Sequence, residues 1–163
     1  MTFSLGLYRA AFAVGLAIIL LVWWQSGMAA NSEDEEAVKV HVEKFLIALG
    51  DGDLDALPDM FVSNANIGTA GLRNGSWVTS TMTFEEWMSS LRDRKTWNRF
   101  SEPVAEFRVF VEDSMMAFVR ADATLVRDGI SRSHNIDYFT LVRQDGAWKF
   151  LSASYVAKPI GSE

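Results

Sequence analysis

The chain has 163 residues but no cysteine, only two histidines and only three prolines. Without cysteine it forms no disulfide and no thiolate metal site, which suits either redox compartment. His41 and His134 are far apart, and no His-x-x-x-His or carboxylate cluster at ligand spacing occurs. Neither a dedicated transition-metal site nor a cofactor is expected. Positive charge is also short, with 15 basic residues against 21 acidic ones and a net charge of −6. Removing residues 1–30 takes away Arg9 and no acid, leaving 14 basic and 21 acidic residues, a net −7. Such a domain repels phosphate backbones, so nucleic acid is not an expected partner. Arg92, Arg94, Lys95 and Arg99 are interrupted by Asp93 and read as a solvated helix end, where cations suit the helix dipole. Gly68, Gly71 and Gly75 lack the Lys-Ser/Thr ending of a phosphate loop and fit a hairpin better.

What is present is apolar. Hydrophobic residues make up 49% and aromatics 12%, enough to bury a core. Residues 1–30 hold one early positive charge, an apolar run from Ala10 to Trp24, and small residues at Gly27, Ala29 and Ala30. That pattern predicts a signal peptide cleaved after Ala29 or Ala30. The alternative is a single-pass anchor, since Phe3, Leu5, Leu7 and Tyr8 lengthen the apolar stretch and Trp23-Trp24 suits a membrane interface. Either way, residues 31–163 form one domain expected outside the cytoplasmic membrane, periplasmic or secreted. A membrane contact is expected only if the leader stays uncleaved.

Ser32 to Glu35 forms a capping box, followed by Val38, Val42, Phe45, Leu46 and Leu49 at helical spacing. Gly50 and Gly52 are expected to stop that helix. A short second helix is expected from Asp53 or Asp55, burying Leu57, Met60 and Phe61. A hairpin turns at Asn74-Gly75. Thr83 and Glu86 cap a third helix running to about Arg94, with Met82 and Trp87 as a hydrophobic staple. From Pro103 the pattern gives four long strands, with turns at 112–114, 127–129 and 144–146. Helices followed by antiparallel strands imply an α+β domain.

The last hairpin poses the chemical question. In a strand over 134–143, Asn135, Asp137, Phe139 and Leu141 share one face. An acid on an apolar face must be paired or must shift its pKa upward to stay neutral. Tyr155, Trp77 and Arg99 are the candidate partners for Asp137, and either outcome makes it a candidate site residue. The opposite face carries Ile136, Tyr138 and Val142, more apolar than a solvated sheet face should be.

"FLIALGDGDLDALPDMF" (45–61) and "IDYFTLVRQDGAWKFLSASY" (136–155), with the order of elements between them, resemble the nuclear transport factor 2-like superfamily. The resemblance spans residues 33–157. It implies a cone: a curved antiparallel sheet wrapped around three N-terminal helices, with an apolar pocket at the open end. It also implies a homodimer through the sheet in many members. Members include cofactor-free isomerases, dehydratases and cyclases, and also binding and assembly modules, so the fold does not settle function. The ketosteroid isomerase branch uses a helix-1 Tyr, a neutral late-strand Asp and a hairpin Asp base. Here those positions hold Phe45, Asp137 and Thr69, so only the late-strand acid is retained.

SnoaL-like and scytalone dehydratase-like members use an Asp–His pair or two histidines. The corresponding catalytic candidates are Asp137 with His41, one turn before Phe45. His134 falls on the other strand face and reads as a surface residue. Trp77, Trp87 and Trp97 lie on elements that border the family's pocket, and Trp148 reads as core. The expected function is binding of a small apolar or aromatic ligand by Phe45, Thr69, Trp77, Trp87, Trp97, Asp137 and Tyr155. The alternatives are a lyase, isomerase or cyclase using Asp137 and His41, and a dimeric structural or assembly module.

Overall fold

The computed structural model describes residues 32–161. The leader and its signal or anchor reading lie outside the described residues. Helix α1 occupies residues 32–51 and buries Val38, Val42, Phe45 and Leu46, the stripe expected from a 3.6-residue period. Gly52 turns the chain out of it at φ 78°. The expected second helix is absent. Residues 54–57 form turns and Pro58–Met60 a single 3-10 turn, after which Phe61 is extended and pairs with Phe150. Pro58 has no N–H to continue a helix from Asp53, and a helix from Asp55 has too few residues before Phe61 enters the sheet. Among the described residues there are therefore two α-helices rather than three.

Strands β1 (Phe61–Arg73) and β2 (Ser76–Thr83) form the first hairpin, with Asn74 and Gly75 both at positive φ, as its tight turn requires. Helix α2 (Phe84–Arg92) follows, and its capping box is closed in both directions: Glu86 N–H donates to Thr83 Oγ1 at 3.2 Å and Thr83 N–H to Glu86 Oε2 at 2.8 Å. Phe84, Met88 and Leu91 are its buried stripe.

Strands β3 (Val104–Glu112), β4 (Met116–Arg127), β5 (Ile130–Gln144) and β6 (Ala147–Pro159) form a meander. The sheet order is β2-β1-β6-β5-β4-β3. The sheet is mixed and not purely antiparallel, because β1 and β6 run parallel. Four antiparallel strands starting at the far edge return the last one alongside β1 in the same direction. Register shifts near Ala105, Arg132 and Leu151 interrupt the ladders, and such bulges bend a sheet.

The core lies between α1, α2 and the inner sheet face. Its centre is aromatic: Phe45 is 5.0 Å from Phe150, 5.5 Å from Phe61 and 5.8 Å from Phe139 between ring centroids. Each of these four side chains is at most 4% exposed. Trp148 is buried, as expected of a core residue, with its ring against the Arg143 guanidinium.

Residues 93–103 cross from α2 to the far edge of the sheet as a strap. It is fastened at both ends. The Gly50 carbonyl, freed at the end of α1, accepts from Trp97 Nε1 at 3.1 Å and from Phe100 N at 3.1 Å. Ser101 and Val126 exchange backbone hydrogen bonds of 2.9 and 2.8 Å.

Candidate functional site in the open end of the cone

The strap, both helices and the inner sheet face enclose a cavity of about 290 Å³. Its room comes from small residues. In the sheet register Asn135 stands between Ala123 and Ala157, and Asp137 between Ala121 and Tyr155. Ala157 lines the cavity, and a larger side chain in its place would take up that space. Phe45, Leu46 and Leu49 of α1, Trp87 and Leu91 of α2, and Ile67, Phe139 and Ala153 of the sheet form an apolar floor and wall.

Above the floor lies a polar belt set by strand alternation. Ser133, Asn135 and Asp137 point inward from β5, with Tyr155 from β6 and Glu102 from the strap. Ser133 Oγ donates to Asn135 Oδ1 at 2.8 Å, and Asn135 Nδ2 donates to Glu102 Oε1. Asn135 is 4% and Asp137 5% exposed. Asp137 Oδ2 is buried with no hydrogen-bond partner among the described residues. Burial, then the charges of Glu102 and Asp122, push the Asp137 carboxyl up to about 8. Burial also raises Glu102, against the bond from Asn135. Burial and then Glu102 raise the Tyr155 phenol. Of the two outcomes open to Asp137, the upward shift is the one found: near pH 7 it is a neutral acid able to donate a hydrogen bond.

The other expected residues divide. Phe45, Trp87, Trp97, Asp137 and Tyr155 all line the cavity. Thr69 sits opposite Tyr155 in the β1–β6 register but is not part of the lining. Trp77 is 53% exposed on the outer face opposite Leu72, so it cannot contact a ligand in the cone. Arg99 is exposed and not part of the lining, so neither it nor Trp77 partners Asp137.

The structure does not bring His41 to Asp137. Its imidazole packs 4.9 Å from the Phe150 ring, and burial lowers its pKa. Phe150 pairs with Leu141, four residues or about 13 Å along β5 from Asp137, with Phe139 between. His134 is on the outer face as expected, where Nε2 contacts the Asp122 carboxylate.

Three charged lining residues escape the sequence reading. Glu102 lies between Ser101 and Pro103 with no local pattern to mark it. Arg127 reads as a turn residue but is half-buried at the end of β4; Arg94 reads as a solvated helix end and is exposed just after α2, and both line the cavity. Ser133 could have been found by continuing the alternation back from Asp137 through Asn135. Among the described residues no group of three or more His, Asp or Glu is placed to hold a metal. Likewise, no described helix is long and apolar enough to cross a membrane.

The fold recurs in solved structures at low identity. An NTF2-like protein with a cystatin-like fold from Novosphingobium aromaticivorans is 17% identical, with 92% of this chain and 91% of that one covered and a TM-score of 0.61. An NTF2-like protein of unknown function from Silicibacter pomeroyi is 19% identical over 77% of this chain and 97% of that one, with a TM-score of 0.54. The beta subunit of a "putative aromatic-ring-hydroxylating dioxygenase", also from Novosphingobium aromaticivorans, is 12% identical over 76% and 88%, with a TM-score of 0.61. No curated protein matches the chain. One family matches residues 33–156, described as "Putative lumazine-binding". That span takes in both helices, the strap and nearly all of the sheet, and the chain belongs to this family, with the fold of the NTF2-like structures.

Proposed function

We propose that the domain binds a small ring-containing ligand in its cone, flat against the aromatic floor, with a polar edge of the ring turned to Asn135, Asp137 and Glu102. The observation that carries this reading is the buried, unpartnered Oδ2 of Asp137 facing a cavity of about 290 Å³. A buried polar atom without a partner is rare, and a ligand atom would supply one. The volume is at the lower end for small-ligand sites. The family description names lumazine, a bicyclic ring with amide-like N–H and C=O edges. Such an edge complements a neutral carboxylic acid beside an Asn.

The test is thermal unfolding and tryptophan fluorescence with lumazine and with neutral naphthalene derivatives, since Trp87 and Trp97 report on the cavity. A saturating ring should raise Tm by about 3–6 °C, and Asp137→Ala should remove most of the rise for lumazine. If no ring compound raises the wild-type Tm, the reading is wrong.

A second reading has one specific observation in its favour. Glu102 and Asp137 are two buried carboxyls in one cavity, and one held neutral beside one able to ionise is a general acid–base arrangement. It replaces the Asp137–His41 pair. Exchange of solvent deuterium into an acidic C–H of a bound cyclic ketone, lost in Glu102→Gln, would establish it.

We also propose, as separate matters, export by the leader and a homodimer through the outer sheet face, where Phe110, Phe118 and Tyr138 are exposed. Mature mass tests the first and light scattering tests the second.

A further inference from the structure

The mouth of the cavity differs from its belt. Arg94 of the strap and Arg127 at the end of β4 both line it. Arg92, Arg108, Arg120 and Arg143 are each matched to a carboxylate: Asp55, Glu106, Asp122 and Asp34. Arg94 and Arg127 have no such partner among the described residues; nor do Arg73, Arg99 and Arg132, but those are exposed and do not line the cavity. Glu102 is in the same lining, but it turns to Asn135 and to neither guanidinium. Arg127 Nε is buried with no hydrogen-bond partner among the described residues. The Arg94 guanidinium lies 5.2 Å over the Trp97 ring, whose Nε1 is bonded to Gly50, so the plane of the cation rests on a fastened support.

The positions are staggered in depth. Arg127 lies four residues, about 13 Å of backbone, beyond Ala123, which faces Asn135. From floor to opening the lining therefore runs from aromatic rings, through neutral and acidic hydrogen-bonding groups, to two uncommitted cations. We propose that the ligand carries an oxyanion, such as a carboxylate, at the end opposite its buried ring edge, and that Arg94 and Arg127 hold it at the mouth. The inference rests on the ring-ligand reading and adds the charge of the ligand and the residues that select it. Guanidinium forks match oxyanions geometrically, and a partly desolvated one binds them more strongly than an exposed one does.

The test compares two probes sharing one ring, 2-naphthoate and the neutral 2-naphthylmethanol, by calorimetry at pH 7 with the full-length protein. Wild type should bind the carboxylate about tenfold or more tightly over the alcohol. Arg127→Met and Arg94→Met should each cut that preference severalfold and leave the alcohol's affinity unchanged. Arg127→Lys should retain part of it. Unchanged affinity for the alcohol also shows that the variants fold. Equal affinity of wild type for both probes, or a preference that survives in the double Met variant, overturns the anion site and leaves the ring reading standing. Binding of neither probe overturns the anion site, and overturns the ring reading as well if lumazine also fails to bind.

Discussion

The Phe100 carbonyl occupies the space that a Cβ on Gly50 would need, while the Phe100 N–H donates to the Gly50 carbonyl at 3.1 Å. The glycine that reads in sequence as a helix stop is thus a docking point for the strap over the cavity.

Gly50→Ala should push the strap away. The clash is with backbone, not a flexible side-chain tip, so about 1–3 kcal/mol of stability should be lost by denaturant unfolding. Gly71→Ala meets nothing within 4 Å and serves as the control, with little expected change. A similar loss in both would show that the strap contact is not the cause.

Asp137 makes stability depend on pH with a definite sign. Its carboxyl is near 3.8 when unfolded and about 8 when folded, so the folded state holds the proton more tightly. Its contribution is full below pH 4 and is lost as pH rises towards 8. Asp137→Asn cannot ionise and should flatten that decline. At pH 8.5 the variant should gain on the order of 2 kcal/mol or more relative to its difference from wild type at pH 4.5. Parallel stability profiles for the two proteins would contradict a raised Asp137.

Asp34 has the opposite sign. Hydrogen bonding from Ser114 first, then Arg143, holds its carboxyl below the usual range. Its contribution is present above the unfolded value of 3.8 and is lost as pH falls below it. Asp34→Asn should lower stability at pH 7 by about 1–3 kcal/mol and reduce the loss wild type suffers between pH 5 and pH 3. Identical acid transitions for the variant and wild type would show that the α1–β5 bridge contributes nothing.

Ala157→Leu should project a branched side chain into the cavity beside Asn135. Ring-compound binding should fall at least about tenfold, while Tm changes by no more than a few degrees, because the added methylenes enter existing space. A large fall in Tm would mean that the wall there is already tightly packed.

Much of the fold could be read from one-dimensional signals, because each had a local cause. Thr83 and Glu86 satisfy each other within one turn. Asn74-Gly75, Asp128-Gly129 and Asp145-Gly146 each place consecutive residues at positive φ, which those pairs tolerate. Alternation placed Asp137 on the inner face. The failures are non-local. A helix at 53–61 is locally reasonable, but Phe61 is pulled into the sheet by Phe150, almost ninety residues later. His41 was one helical turn from Phe45, and that spacing does not reveal which end of the cone each residue faces. Glu102 and Arg94 enter the site because the strap crosses the opening, and nothing in residues 93–103 announces that path; Arg127 enters it from the end of β4.

The parallel pairing of β1 with β6 also bears on synthesis. Among the described strands β6 comes last in sequence, yet it lies in the middle of the sheet between β1 and β5. Until residues 147–159 leave the ribosome, the first hairpin and the rest of the meander have no seam to join them, and Phe150 is missing from the ring cluster. The described sheet and its ring cluster can therefore close only after residues 147–159 have been made. A truncation of β6 would remove the middle of the sheet and with it the strand that joins β1 to β5.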